Sequence, residues 1–237
     1  MLSTYVAPGM KLELVSINNS LKDNVSVKKY NSSVYEILSD EQLEVTMPME
    51  QTKLILLSVD ERYEVFFYTK KGLFQCTCRI SDRYKRDNVY ILVLDLMTNL
   101  RKFQRREYFR FSCAIDMTSR PLEAYEVAEY ERSGNVTLAE LPMKQSVIVD
   151  ISGGGIRFIA AQKYNADSLI LICFRLGVNG IQKEYNLIGK LLRVSELENK
   201  PGVYEHRLQY DNLKAEDREE IIRYIFEEER KKRQNSK

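Results

Sequence analysis

Residues 103–115 read Phe103-Gln104-Arg105-Arg106-Glu107-Tyr108-Phe109-Arg110-Phe111-Ser112-Cys113-Ala114-Ile115, and the character of the chain changes inside this run. Its first part is dense in guanidinium groups. From Phe109 onward, Phe109, Phe111, Cys113 and Ile115 alternate with Arg110, Ser112 and Ala114, the period-two signature of a strand with one apolar face. A strand that starts directly behind a basic stretch marks the beginning of a second folded unit.

Upstream of this run, short segments rich in Val, Ile, Leu, Tyr and Phe are separated by polar turns. Lys11 to Ile17, Val34 to Leu38, Leu54 to Ser58, Tyr63 to Tyr68, Leu73 to Ile80 and Val89 to Leu96 read as strands, and Lys70-Lys71-Gly72 as a hairpin turn. Downstream, Val147, Val149 and Ile151 form one strand face and leave Asp150 and Ser152 on the other. Further strands follow at Leu169 to Leu176, Tyr185 to Val194 and Val203 to Tyr210. Many short strands at this spacing predict an all-β chain of two small β-barrels. The expected domains are residues 1–98, a basic interdomain connector over 99–105, and a second barrel over 106–237.

Two segments break the strand pattern. Pro121 to Lys144 is acidic and poorly periodic, and is expected to be a long connection between strands. Residues 213–233 change period: Ile221, Ile222, Ile225 and Phe226 form an apolar stripe, with acidic residues early and basic residues late. This predicts a C-terminal amphipathic helix whose charges complement its dipole.

At 237 residues and 44% hydrophobic, the chain is long enough to bury two cores. No run approaches the roughly 18 apolar residues of a membrane span, and the N-terminal sequence lacks a secretory pattern, so a cytoplasmic protein without membrane insertion is expected. The formal net charge of +2 gives no general polyanion signal, so local clustering carries the information. A single histidine, His206, stands in a strand-like segment with no nucleophile beside it. Four cysteines complete no metal spacing. The expectation is therefore a non-enzymatic protein with no metal and no cofactor.

The chemistry concentrates at two places. Arg105, Arg106 and Arg110 offer planar forks that bind phosphate oxygens bidentately, stack on bases and read the O6 and N7 acceptors of guanine. About forty residues later, Asp150-Ile151-Ser152-Gly153-Gly154-Gly155 supplies a carboxylate suited to the N1 and N2 hydrogens of guanine. It adds a hydroxyl, and glycines that permit close backbone approach. No Lys-Ser or Lys-Thr follows those glycines, which excludes a P-loop. Small basic barrels also bind single-stranded nucleic acid. Asp150 and the balanced charge argue against that alternative, and no nucleic-acid partner is expected.

At these residues the sequence resembles the PilZ family, whose paired motifs are Arg-x-x-x-Arg and Asp/Asn-x-Ser-x-x-Gly. Arg106 and Arg110 match the first; Asp150, Ser152 and Gly155 match the second. The resemblance implies that the ligand is the bacterial messenger cyclic di-GMP. Arg105 ahead of Arg106 fits the double-arginine form, which implies binding as an intercalated dimer. The order of parts is similar to the flagellar-brake, YcgR-type branch. That similarity implies a receptor that changes its interdomain arrangement and acts on a flagellar motor stator or rotor protein, with recruitment to the basal body. Other members of the family act on exopolysaccharide synthesis.

Overall fold

The protein is described by a computed structural model covering residues 2–17, 28–178 and 180–235. Met1, residues 18–27, Asn179 and residues 236–237, which the expected domain spans include, lie outside the described residues. The chain divides into two compact units, Met1–Arg105 and Arg106–Lys237.

The N-terminal unit contains β1 (Lys11–Ser16), β2 (Lys29–Ile37), β3 (Gln42–Thr46), β4 (Met49–Glu50), β5 (Lys53–Leu54), β6 (Arg62–Thr69), β7 (Gly72–Arg86), β8 (Val89–Leu96) and β9 (Arg101–Lys102). Apart from the small β4–β5 pair, these strands form one sheet in the order β6-β1-β2-β3-β8-β7-β9, and β6 also pairs with β7, so the sheet closes on itself. Period-two burial drives that closure: Tyr63, Val65 and Phe67 of β6 turn inward beside Leu12 and Leu14 of β1 and Leu43 and Val45 of β3. The β6–β7 hairpin turns at Lys70-Lys71 as expected, and Thr69 braces it by accepting the Lys71 N–H at 3.1 Å and donating to the Gly72 carbonyl at 2.7 Å.

Two expectations for this half are corrected. Leu54 to Ser58 is no strand beyond the short β5. Leu57 alone drops into the core, and its carbonyl accepts from Arg83 Nη1 at 3.0 Å instead of joining a ladder. Arg101 and Lys102, within the expected connector, pair as β9 with Gln75 and Phe74 of β7.

The C-terminal unit is a closed six-stranded barrel in the order β10-β11-β12-β15-β14-β13. Its strands are β10 (Phe111–Pro121), β11 (Lys144–Ser152), β12 (Gly155–Ala160), β13 (Leu169–Val178), β14 (Ile181–Leu197) and β15 (Lys200–Tyr210); α1 (Ala124–Ser133) follows β10, and α2 (Ala215–Asn235) follows β15. All-β with a C-terminal helix is thus the observed class, with α1 in addition. Phe111, Ile148, Ile151, Phe158, Ile172, Phe174 and Leu208 fill the barrel, and α2 adds Ile221 and Ile225, one turn apart. Lys183 donates to Asp217 at 3.0 Å and also to Glu220, while Tyr185 donates to Glu220 at 2.9 Å, so polar contacts fix the same helix against β14.

His206 is fully buried, stacked 4.7 Å from the Phe158 ring, and its Nε2 accepts the Tyr164 N–H at 3.4 Å. Burial lowers its pKa to about 4, so it is a neutral core residue at physiological pH.

The inward face of β11 differs from the alternation read in the sequence. Ser146, Ile148, Ile151 and Ser152 are buried, while Val147 and Val149 are only half-buried. The pairing with β12 shifts between Ile148 and Asp150, so a bulge at Val149 reverses the phase of the strand. Phe109 likewise lies ahead of β10 and is 52% exposed, not part of its inner face.

The acidic segment expected to be an irregular connection instead contains α1. Its apolar stripe is interrupted because one of its two buried residues, beside Tyr130, carries a carboxylate. Glu126 is fully buried and accepts from Arg120 Nη1 and Nη2, both at 2.7 Å, from the Ala139 N–H at 2.8 Å and from the Glu123 N–H at 2.8 Å. The last contact caps the helix start, and Gly134, at φ +69°, ends the helix by donating its N–H to Tyr130 O.

The Arg120 hydrogen bonds hold the Glu126 carboxyl down at about 2 against the opposing effect of burial. Because the folded pKa lies below the ordinary glutamate value of about 4.3, this stabilisation is fully present above that value. It is lost as pH falls towards the folded value. Glu126→Ala, which strands the Arg120 charge, is expected to destabilise the C-terminal unit by about 3–5 kcal/mol in urea unfolding at neutral pH. The difference from the unaltered protein should shrink as the pH approaches 2.

Candidate ligand site on the C-terminal barrel

The site is built on the β11–β12 hairpin. Ser152 pairs with Gly155 across the turn, so residues 153 and 154 form a two-residue loop. The Ser152 side chain is almost fully buried and its hydroxyl works inside the hairpin, donating to the Gly155 carbonyl at 3.0 Å and accepting from the Gly154 N–H at 3.4 Å. The structure therefore places Ser152 as the brace of the loop, rather than outward beside Asp150.

The three glycines have separate steric reasons. A Cβ at Gly155 would lie 2.1 Å from the carbonyl oxygen of Leu208 on β15, so the backbones of β12 and β15 approach closely there. At Gly153 a Cβ would lie 2.6 Å from Tyr108 Cδ1 and 2.9 Å from Ile222 Cδ1; at Gly154 it would lie 3.0 Å from Tyr108 Cδ2. The Tyr108 ring thus covers the loop. Arg218 of α2 completes the contact, donating from Nη1 to the Gly153 carbonyl at 2.7 Å and to Tyr108 Oη at 3.2 Å, with its guanidinium carbon 5.4 Å from the ring centroid.

Tyr108 sits midway between Arg106 and Arg110. Packing it on the glycine loop brings the arginine motif to the Asp150–Gly155 hairpin although the two are far apart in sequence. Arg106 and Arg110 are both exposed on either side of that anchor, and Arg110 forms no ion pair among the described residues. Arg105 falls in the N-terminal unit, where its Nη1 donates to Tyr68 Oη at 3.1 Å and lies 3.8 Å from Glu13 Oε2.

Asp150 pairs across the hairpin with Arg157, whose Nε donates to Asp150 Oδ2 at 2.7 Å and whose Nη1 donates to Glu205 Oε2 at 2.7 Å. Arg207 donates in turn to Glu205 Oε1 at 3.3 Å. The hydrogen bonds from Asp150 and Glu205 stabilise the Arg157 cation and raise its pKa. Burial pushes Glu205 upward, but Arg157 and Arg207 outweigh it and hold its carboxyl below the ordinary value. One oxygen of Asp150 is thus fixed by a neighbour, which orients the carboxylate before any ligand arrives.

Arg157, Glu205 and Arg218 are not reached by the sequence reading, and Tyr108 enters it only as an aromatic for the single-strand-binding alternative. Arg157 has a signal there: with Ser152 opposite Gly155, counting back along the hairpin reaches Asp150 opposite Arg157. Arg218 has none, because only the docking of α2 brings it to residue 153. Among the described residues, no group of three or more His, Cys, Asp or Glu is placed to hold a metal, and no helix is long and apolar enough to cross a membrane.

The model of the PilZ domain matches residues 104–227, just over half of the 237 residues. The chain belongs to the PilZ family. A second model, described as the flagellar protein YcgR, matches residues 7–96. No protein among those with curated functions matches the sequence.

Among solved structures, this PilZ protein is similar to the Bacillus subtilis inhibitor of motility MotI/DgrA. The TM-score is 0.74 at 18% identity, over 96% of this chain and 100% of the other. YcgR from Escherichia coli, solved in complex with c-di-GMP, matches 96% of this chain and 87% of its own at 14% identity and a TM-score of 0.47. The first likeness supports the same order of folded parts along the chain.

Gly155→Ala is expected to cost about 3 kcal/mol, because the clash is with the backbone of β15 and not with a movable side chain. Thermal unfolding of the variant without ligand checks this. An unchanged melting temperature would show that the β12–β15 contact is not as close as described.

Proposed function

We propose that the protein is a cyclic di-GMP receptor whose PilZ unit takes the dinucleotide at Arg106, Arg110 and the Asp150–Gly155 hairpin. The observation that carries this reading is the packing of Tyr108 on Gly153 and Gly154, which sets two exposed guanidiniums beside the hairpin that holds Asp150. Arg106 and Arg110 supply forks for the phosphates and for guanine O6 and N7. The Asp150 carboxylate supplies the acceptor for N1 and N2. Ser152 and Gly155 act by holding the hairpin in shape, so their place in the motif is structural first.

Arg105 directly precedes Arg106, and the boundary between the two units falls between them. An additional guanidinium there supports a ligand taken as an intercalated dimer, and a ligand held on both sides of the boundary would bias the arrangement of the units. The N-terminal match to the YcgR model supports a motility output, through a flagellar motor protein and from the cytoplasm.

Calorimetry with cyclic di-GMP tests the assignment. The unaltered chain is expected to bind with a stoichiometry of two dinucleotides per chain. Arg110→Ala, which removes charged hydrogen bonds at an exposed position, should bind about ten- to a hundredfold more weakly at an unchanged melting temperature. No binding to the unaltered chain, together with oligonucleotide affinity that falls steeply with salt, would favour a single-strand-binding barrel instead.

Asp150→Ala should narrow the preference for cyclic di-GMP over its adenine counterpart more than it weakens phosphate contact. Competition between the two dinucleotides measures this. Equal loss for both would remove Asp150 from base recognition.

A further inference from the structure

Resting on the cyclic di-GMP reading, we propose that Arg218 is a positioning residue for the dinucleotide site and that it couples ligand occupancy to α2. Neither motif contains Arg218. It nevertheless makes a hydrogen-bonded contact across their junction, because one nitrogen serves both the Gly153 carbonyl and the Tyr108 hydroxyl, at 2.7 and 3.2 Å.

The geometry gives Arg218 a function beyond packing. Tyr108 stands two residues from Arg106 and two from Arg110, so the placement of its ring decides where both guanidiniums emerge. Three surfaces hold the ring: Gly153 beneath one side, Gly154 beneath the other and the Arg218 guanidinium over its face. The glycines only leave room. Arg218 supplies the directed attraction, and its second acceptor, the Gly153 carbonyl, ties the same side chain to the loop that follows Asp150 and Ser152.

Arg218 also lies in the first turns of α2, three residues ahead of Ile221, which is sunk in the barrel core, and four ahead of Ile222, which touches the space over Gly153. A ligand that draws Arg106 and Arg110 inward must pull on Tyr108, and Tyr108 pulls on Arg218. The start of α2 is therefore mechanically continuous with the ligand site, while its distal part, carrying the 60% exposed Phe226, is not held by the loop.

Hydrogen exchange and calorimetry on the full chain test this together. In the unaltered protein, cyclic di-GMP is expected to slow amide exchange at residues 106–110 and 150–155 and also at 215–222. Arg218→Ala should weaken binding about tenfold, and at saturating ligand the protection at 215–222 should disappear while that at 150–155 remains. Arg218→Lys keeps the charge but lacks the planar fork. It should fold as the unaltered chain does, with an intermediate loss of affinity, and serves if the alanine variant does not fold. Unaltered affinity in Arg218→Lys and Arg218→Ala, or α2 protection in either as strong as in the unaltered chain, overturns the coupling. Failure of the unaltered chain to bind cyclic di-GMP overturns the functional reading itself and the coupling with it.

Discussion

The C-terminal unit depends on a place where side chains are missing. Gly153, Gly154 and Gly155 remove three successive Cβ atoms from the end of one hairpin, and a close neighbour occupies each vacated space. The β15 backbone comes up against Gly155, which lets the barrel close tightly at that corner. Tyr108 and Ile222 come down on Gly153, and Tyr108 extends over Gly154. Barrel closure, the docking of α2 and the placement of the arginine segment are therefore one steric problem with one solution. A methyl group at residue 153 would move Tyr108, and with it both arginines that flank the ring.

Charge is distributed around this corner in two different ways. On the hairpin, Arg157 is satisfied by Asp150 and Glu205, and Glu205 is shared with Arg207, so carboxylates and guanidiniums hold each other in fixed orientations. On the arginine segment, Arg110 is left to solvent. Preorganising the acceptor side while leaving donors exposed reduces the ordering that a ligand must impose to a few side chains, at about 0.5–1.5 kcal/mol each. The buried Arg120–Glu126 pair is the opposite case. Removed from solvent and joined by two short hydrogen bonds, it fixes α1 to the end of β10.

Much of the fold is legible in the sequence because barrel strands with one buried face alternate strictly, as at Tyr63, Val65 and Phe67. The same rule misleads at β11. A single extra residue at Val149 reverses the phase, and nothing in the local composition announces it. Helix α1 escapes the sequence for a related reason: an inward face is read from hydrophobicity, yet here Glu126 shares it with Tyr130. The partner of Glu126, Arg120, lies six residues away on a different element. At the site, the two motifs are legible because their chemistry is carried by residue type. Their junction is not, since Tyr108 and Arg218 meet only through the packing of α2.

The helix packed on the barrel core thus also reaches the glycine loop between the motif residues. Ile221 and Ile225 commit it to the core, and Lys183 and Tyr185 bind its acidic early turns from β14. Those contacts do not involve the glycine loop. Arg218 connects that helix to the arginine segment by directed hydrogen bonds, with Ile222 as its apolar support. Displacing Arg218 changes one end of α2 while the core anchors serve as the pivot.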